Sequence, residues 1–247
     1  MSYLKSPNLP EKTVQKVIVS GEISEKSEYT LNELGIECVK TSAHPKLYNA
    51  VKYHPDMQIY HLGGEYAVCD INSISLATQL FSLENICSGE SVEEKYPRDI
   101  YYNAARVGQF LICNRSYTDD NIIKNAVSNG LEIVNVKQGY AKCNLCIVSE
   151  NAVITSDIGI KSALGNFPVD VLLVEDNSVA LKDFTHGFFG GATGKIAPDK
   201  LAVNGNIKYH LYYNEIITFA NKYNVEIVSL NNDCIEDIGS ILPILEK

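Results

Sequence analysis

The sequence predicts a mixed α/β fold built from five similar units, and a repeat is the first observation that indicates it. Short apolar runs that end in a small polar residue recur around positions 18, 68, 112, 154 and 203. Their spacings of 50, 44, 42 and 49 residues fit one supersecondary unit each and are too short for a separate domain. A helix-like stretch and a second β-rich segment follow four of the five runs.

The second observation is a strand candidate in front of each of the last four runs. The first run lacks one, and the C-terminal segment 237–245 would supply it if the chain closes into a ring, which removes open sheet edges. Each unit would then be a strand–strand–helix–strand blade. Periodicity alone leaves open a closed ring of blades and a three-layer α/β sandwich.

The individual elements follow from local signals. Thr118 precedes Asp119 and Asp120 before the third helix, Asn129-Gly130 would end it, and Ser156 or Asp157 would start the fourth. In the second unit we expect a helix over 73–83 and find no clear last strand. First strands are expected at 57–62, 100–107, 145–149 and 187–195, and last strands at 35–39, 130–134, 169–173 and 225–228.

Composition limits the function classes. A net charge of -9 and a pI near 5.1 disfavour general phosphate binding, so no nucleic-acid partner is expected. The short apolar runs and polar N-terminus predict neither a membrane span nor a secretory signal, hence a cytoplasmic protein. Seven cysteines, an odd number, suit reduced thiols. We expect one domain over residues 1–247 with an N-terminal tail of about 1–13, and the sequence leaves the oligomeric state open.

The residues that lead into the first strands are unusually polar. They cover 54–56, 103–106, 142–146, 186–193 and 233–237, and in a closed ring they would meet at one mouth. A thiol, an imidazole and carboxylates that converge in a concavity could perform covalent catalysis on a cationic substrate.

The residues 54–58 (HPDMQ), which lead through Gly63-Gly64 into Tyr66-Ala67-Val68, resemble the first blade of the pentein superfamily of guanidino-modifying enzymes. With the stretches VKQGYAKC, GGATGK and DIGSI, the chain is similar over about residues 14–246 to a bacterial branch of that superfamily without an assigned activity. The resemblance implies a five-bladed α/β propeller of ββαβ repeats. It also implies a small guanidino or amine substrate, with no metal and no organic cofactor.

The resemblance implies roles for individual residues. Asp56 would hold the guanidinium, since this planar cation favours paired charge-assisted hydrogen bonds. Superfamily enzymes carry the nucleophilic cysteine on the closing blade after a Gly-Gly pair. Here Cys234 lies a few residues too early, so Cys143 and Cys234 are both candidates. His54 would move protons and Asp237 would be a second carboxylate, while Arg106, Gly190, Gly191 and Thr193 are candidate substrate-binding residues.

Other motifs have competing interpretations. Cys143 and Cys146, expected on one strand and facing opposite sides, could be half a zinc site, a redox pair or buried thiols. Arg106 could bind a substrate carboxylate or pair with an acidic residue at the axis. Segment 188–195 resembles a phosphate loop but has the wrong glycine spacing, and Ile196 stands where Ser or Thr is needed.

Two functional hypotheses follow from these residues. The first is a cysteine-dependent C–N hydrolase or amidinotransferase relative. The superfamily's Glu-Gly-Gly-Asp and His-x-Asp motifs are replaced here by Lys142-Cys143-Asn144 and Phe188-Phe189-Gly190-Gly191. The alternative is therefore a non-catalytic binding module, as the ribosome anti-association factor of eukaryotes and archaea is on the same fold.

Overall fold

Five small sheets form the fold of the computed structural model, which describes residues 1–175 and 177–247. In each blade a first strand pairs antiparallel with a middle strand, which pairs parallel with an outer strand after a helical connection. This is the predicted strand–strand–helix–strand unit, repeated five times.

The blades are numbered from the N-terminus. Their first strands are Leu242–Glu246, Ile59–Gly63, Ala105–Val107, Cys146–Ser149 and Thr193–Ala197. Their middle strands are Val14–Val19, Tyr66–Cys69, Phe110–Cys113, Ala152–Thr155 and Lys200–Val203. Their outer strands are Glu37–Lys40, Ile86–Ser88, Glu132–Asn135, Asp170–Leu173 and Glu226–Ser229. Their helices are Glu25–Glu33, Ile74–Ala77, Asp120–Ser128, Ile158–Leu164 and Tyr213–Lys222.

Side-chain caps start the third and fourth helices, the third at Asp119, one residue after the indicated Thr118, and the fourth at Asp157, one of its two candidates. Asp119 accepts a hydrogen bond from the backbone N–H of Asn121, and Asp157 does so from Ile160. The third helix ends before Gly130, whose φ of 69° is left-handed and therefore favours glycine. Within the described ranges, no helix is long and apolar enough to cross a bilayer.

The C-terminal strand completes the first blade, as predicted for a closed ring. Leu242–Glu246 pairs with Val14–Val19 and carries the short strand Ser2–Tyr3 on its other edge. Five buried apolar clusters fill the interfaces between neighbouring blades, and one of them joins blade five to blade one. The first strand of blade five contacts the first strands of blades four and one, so these strands lie centrally.

Several first strands begin later than predicted. Pro55–Met57 and Gly190–Ala192 form 3-10 turns, and residues 100–104 have no strand pairing. The polar side chains in these approaches hydrogen-bond to neighbouring blades, as Asn103 does to the backbone of blade four, and this replaces a regular ladder.

The helix predicted over 73–83 is much shorter. Asp70 accepts a hydrogen bond from Asn72 and starts the 3-10 turn Ile71–Ser73, which leads into Ile74–Ala77. Beyond it, Thr78 and Gln79 turn their side chains back onto the carbonyl of Ser75. The last strand that the sequence did not reveal is Ile86–Ser88.

The prediction that Cys143 and Cys146 share one strand is wrong. Cys143 lies in the helical turn Ala141–Asn144, and Cys146 begins the first strand of blade four. The Asn103 side chain accepts the backbone N–H groups of Lys142 and Cys143, which stabilises the turn in place of strand pairing.

Candidate functional site

The turns that lead into the first strands carry buried polar side chains to one cluster at the centre of the ring. His54 and Asp56 precede the first strand of blade two, Asn103 that of blade three, Cys143 that of blade four, and Asp237 that of blade one. All five residues are buried. Because each comes from the same position of the repeat, the fold itself brings them together.

Cys143 is held by two neighbours. Its thiol donates to Oδ2 of Asp56 at 3.1 Å, and Nδ2 of Asn103 donates to its Sγ at 3.2 Å. The same Asn103 accepts the backbone N–H of Lys142 at 2.7 Å and of Cys143 at 3.2 Å. Asn103 therefore fixes both the turn and the direction of the thiol.

A buried lysine reaches the same carboxylate through a hydroxyl. Lys142 Nζ donates to Ser240 Oγ at 2.8 Å, and Ser240 Oγ donates to Asp56 Oδ2 at 2.8 Å. The side chains of this relay are fully or almost fully buried. Lys142 and Asp56 thus balance each other's charge without direct contact between ammonium and carboxylate.

Asp237 is fixed by backbone donors. Its Oδ2 accepts the N–H of Phe188 at 2.9 Å and its Oδ1 accepts the N–H of Gly239 at 3.0 Å, while His54 Nδ1 lies 3.9 Å from Oδ1, beyond hydrogen-bond distance. A Cβ on Gly191 would lie 2.0 Å from that Oδ1. Gly191 therefore makes room for this carboxylate, a structural role in place of the predicted ligand contact.

Burial controls the protonation of the cluster. It raises the pKa of Asp237 to about 6, against the opposing effect of its backbone hydrogen bonds and Lys142, and it raises the pKa of Asp56. It lowers the pKa values of His54 and Lys142. Burial also raises the pKa of the Cys143 thiol, and Asp56 and Asp237 raise it further. The resting site therefore contains a thiol and a neutral imidazole.

Two buried polar atoms of the site have no hydrogen-bond partner in the part of the chain that the structure describes, namely Nδ1 of His54 and Oδ1 of Asp56. A ligand atom from each of His54, Asp56 and Cys143 lies within 4.8 Å of the others, so these three residues could hold a metal ion. These buried atoms could therefore still bind a ligand atom or an ion.

A cavity of about 200 Å³ opens onto this cluster. Its floor includes His54, Cys143 and Asp237, and its walls are mainly aromatic and aliphatic. Tyr140 donates its hydroxyl to Asp99 at 2.6 Å, which fixes one wall. The wall residues are Tyr48, Val51, Tyr140, Leu181, Phe184, Thr185, His186 and Phe188, and none of these described residues is Lys or Arg.

Several predicted site residues lie outside this cavity. Cys234 is exposed. Arg106 is half-buried, donates to the carbonyl of Gly108 at 3.2 Å and lines a different cavity of about 500 Å³. Thr193 is buried and donates to the carbonyl of Gly190 at 3.1 Å, and a Cβ on Gly190 would lie 2.5 Å from the Cys143 carbonyl. Thr193 and Gly190 therefore pack behind the site.

Sequence reasoning did not select several residues that shape the site. Asn103, Lys142 and Ser240 stand in or beside the polar approaches to first strands, so their repeat position could have identified them. Tyr48 and Phe184 come from long loops between blades, and their rings lie 5.8 Å apart. No repeat position marks these two aromatic residues.

Comparisons with known proteins identify the fold. The chain is similar to an inosamine-phosphate amidinotransferase from Streptomyces griseus at 10% identity and a TM-score of 0.54, covering 93% of this chain and 91% of that one. It is similar to an agmatine deiminase from C. jejuni with substrate bound (10% identity, TM-score 0.52), covering 100% and 97%. It is also similar to DDAH from Pseudomonas aeruginosa complexed with citrulline (10% identity, TM-score 0.51), covering 94% and 100%.

These three proteins are pentein superfamily members, and the fold predicted from the sequence is confirmed. No curated protein matches the chain in sequence. One family model, described as a family of unknown function (DUF6873), matches residues 18–242. The chain therefore has the pentein fold and belongs to this family of unknown function.

Proposed function

We propose that the protein binds a small guanidino or related amine-containing cation in the cavity and cleaves one of its C–N bonds through Cys143. The observation that carries this proposal is a buried thiol, an imidazole and a buried carboxylate, Asp237, that line one cavity. A second buried carboxylate, Asp56, lies behind the thiol and accepts its hydrogen bond. This set supplies a nucleophile, a proton carrier and a cation site.

The charge of the site favours a ligand with one positive charge. Ser240 connects Lys142 to Asp56 by hydrogen bonds. The net charge of these two side chains is zero when both are ionised and also when both are neutral. Among the described residues, Asp237 has no cationic partner within hydrogen-bond distance, and pH 7 lies above its pKa of about 6, so its carboxyl group is mostly ionised. A buried carboxylate without a cation is costly, so a bound cation would be stabilised there.

Cation binding also explains how a thiol with a raised pKa becomes a nucleophile. A guanidinium in the cavity beside Asp237 offsets part of the negative charge that Asp237 and Asp56 place near the Cys143 proton. The proton then passes to the neutral imidazole of His54, whose ligand nitrogen lies within 4.8 Å of Sγ. Sγ bonds to the guanidinium carbon, and a tetrahedral adduct forms.

The second half of the reaction restores the thiol. The imidazolium protonates the leaving amine as its C–N bond breaks, which leaves a thiouronium on Cys143. Water then adds to this carbon, the imidazole accepts a water proton, and the C–S bond breaks. One guanidinium and one water thereby give one urea-type product and one ammonium, with the thiol regenerated.

The cavity walls narrow the substrate class. Tyr48, Tyr140 and Phe188 offer aromatic faces and edges, and no Lys or Arg among the described lining residues could bind a carboxylate. Arg106, the predicted anion clamp, lines a different cavity. We therefore expect alkylguanidines or guanidino amines to bind in preference to amino acids such as arginine.

The experiment compares matched cysteine variants. Purified protein is incubated with arginine, agmatine, methylated arginines and simple alkylguanidines, and ammonia and urea-type products are measured. Cys143→Ser should reduce turnover at least about 1,000-fold. Cys146→Ser should retain turnover, because Cys146 packs in the apolar cluster between blades four and five.

A haloacetamidine probe gives a second readout, with the modified cysteine identified by mass spectrometry. Cys87 and Cys234 are replaced by serine beforehand, because both are exposed and would react unspecifically. Protection of Cys143 by an alkylguanidine is the expected result. If no substrate is turned over and Cys143 forms no adduct, the catalytic proposal is wrong and a binding module takes its place.

A further inference from the structure

The buried part of the site offers three different metal-ligand types. His54, Asp56 and Cys143 supply a nitrogen, an oxygen and a sulfur within 4.8 Å of one another. This mixed set is typical of zinc, which binds imidazole, carboxylate and thiolate at about 2.0–2.3 Å. The three donor atoms lie at most 4.8 Å from one another. A tetrahedral zinc site would require separations only about 1 Å shorter than this upper value.

Two unsatisfied atoms indicate that a ligand belongs here. Among the residues that the structure describes, Oδ1 of Asp56 and Nδ1 of His54 are buried and have no hydrogen-bond partner, although Oδ2 of the same Asp56 accepts from Ser240 and Cys143. Buried polar atoms are almost always paired in folded proteins. One cation bound between the three side chains would give these two unpaired atoms a bonding partner.

We propose that His54, Asp56 and Cys143 form a binding site for one Zn²⁺ ion, with the cavity at its open coordination position. The proposal departs from the expectation of a metal-free site. The metal-bound form is distinct from the catalytic one, because Zn²⁺ would occupy the Cys143 sulfur that acts as the nucleophile in the proposed reaction. On binding, the Cys143 thiol releases its proton to solvent and its sulfur bonds to the metal, in place of its hydrogen bond to Asp56.

The surrounding residues suit this assignment. Ser240 donates to Oδ2 of Asp56 and leaves Oδ1 for the metal, while Asn103 donates to the Cys143 sulfur. Such outer hydrogen bonds orient metal ligands in proteins. Cys146, the other half of the CxxC pair, packs in the apolar cluster between blades four and five.

The test is a titration of the metal-stripped full chain with Co²⁺ and Zn²⁺. Exposed Cys87 and Cys234 and half-buried Cys38 are first replaced by serine to remove competing thiols. In this background we expect one equivalent of Co²⁺ to produce thiolate-to-cobalt absorption that Zn²⁺ abolishes. Cys143→Ser should weaken Zn²⁺ binding at least about 100-fold, and Ser240→Ala about 10- to 100-fold.

Cys146→Ser is the matched control and should bind Zn²⁺ as the background protein does. The proposal is overturned if the background protein binds no metal at a several-fold excess of Zn²⁺. It is also overturned if Cys143→Ser binds normally, or if Cys146→Ser loses binding, which would assign the metal to the CxxC pair. Thermal melts of each variant exclude unfolding as the cause. Because turnover is not measured, a failure here is distinct from a failure of the catalytic proposal.

Discussion

Two buried pairs of histidine and aspartate lie in this ring, and they differ in how completely they are satisfied. At His44–Asp70 the imidazole Nε2 lies 2.9 Å from Oδ1, which also accepts the N–H of Asn72, while Oδ2 accepts the N–H of Val92. At His54–Asp237 the nearest approach is 3.9 Å. His54 and Asp237 line one cavity together with the Cys143 thiol.

The two pairs also differ in the direction in which the pKa of the carboxyl group is shifted. Burial alone would raise the pKa of Asp70, but hydrogen bonds from His44, Asn72 and Val92 outweigh it and lower that pKa. At Asp237 burial outweighs two backbone hydrogen bonds and raises the pKa to about 6. Burial of a polar group is therefore no sign of function by itself, and His54 and Asp237 are candidates because they also line a cavity beside a thiol.

The largest expected effect is on catalytic activity at the His54–Asp237 pair, where replacement of Asp237 should change turnover much more than stability. Asp237→Asn removes the charge that would hold the cation, and we expect turnover of alkylguanidines to fall at least about 1,000-fold. Its free energy of unfolding at pH 7 should change by less than about 1 kcal/mol, since the lost acceptor is offset by the removal of a poorly solvated charge. Initial rates and urea denaturation measure the two quantities. A large loss of stability with normal turnover would contradict the comparison.

The same comparison shows what the sequence could predict. The repeat predicted five strand–strand–helix–strand units and left a ring and a sandwich open, and the resemblance to the pentein superfamily implied the closed ring. The polar approaches to the first strands identified His54, Asp56, Cys143 and Asp237 as candidates. The position of His54 before a first strand distinguished it from His44, but hydrogen-bond saturation depends on loop geometry and could not be predicted. Cys234 was a candidate because it lies near the closing blade in the sequence.

The loops between blades were the least predictable part. Tyr48 and Phe184, which line the cavity, belong to segments that have no counterpart in the repeat. The turn at Cys143 depends on Asn103, 40 residues earlier in the chain. Such contacts are set by tertiary packing and leave no periodic signal in the sequence.

The second prediction concerns the satisfied pair. Asp70→Asn removes a charged acceptor and leaves an imidazole and backbone N–H groups poorly paired, so it should destabilise the protein by about 3–5 kcal/mol. Turnover per folded molecule should remain unchanged, because Asp70 is not among the residues that line the cavity. Urea denaturation gives the stability, and active-site labelling of Cys143 gives the folded fraction. Asp70→Asn with native stability would show that this pair is not structural.

The third prediction is that the two carboxylates respond to pH with opposite sign. Asp237 binds its proton more tightly in the folded than in the unfolded chain, so its contribution to stability is full below about pH 4 and is lost as pH rises to about 6. A shift of this size corresponds to about 3 kcal/mol. Asp70 has a lowered pKa, so its contribution is present at neutral pH and is lost as pH falls below its unfolded pKa of about 4.

Unfolding of the wild type and of each Asn variant between about pH 2 and pH 7.5 measures these two contributions as differences from the wild type. Relative to the wild type, Asp237→Asn should gain stability as pH rises from about 4 to 6. The free energy of unfolding of Asp70→Asn should approach that of the wild type as the pH falls below about 4. Parallel curves for the two variants would refute the assignment of opposite shifts.

The smallest effect tests the histidines themselves. His44→Leu removes a hydrogen bond to an ionised carboxylate and should cost about 1.5 kcal/mol. His54→Leu removes an imidazole whose buried Nδ1 has no partner, so it should change the free energy of unfolding by less than about 0.5 kcal/mol while it abolishes proton transfer to the leaving amine. The measurement is urea denaturation of both variants at pH 7, where the imidazole of His54 is neutral because burial lowers its pKa. Equal costs at the two positions would mean that His54 has a stabilising contact in solution, and the contrast between a structural and a functional pair would then rest on the carboxylates alone.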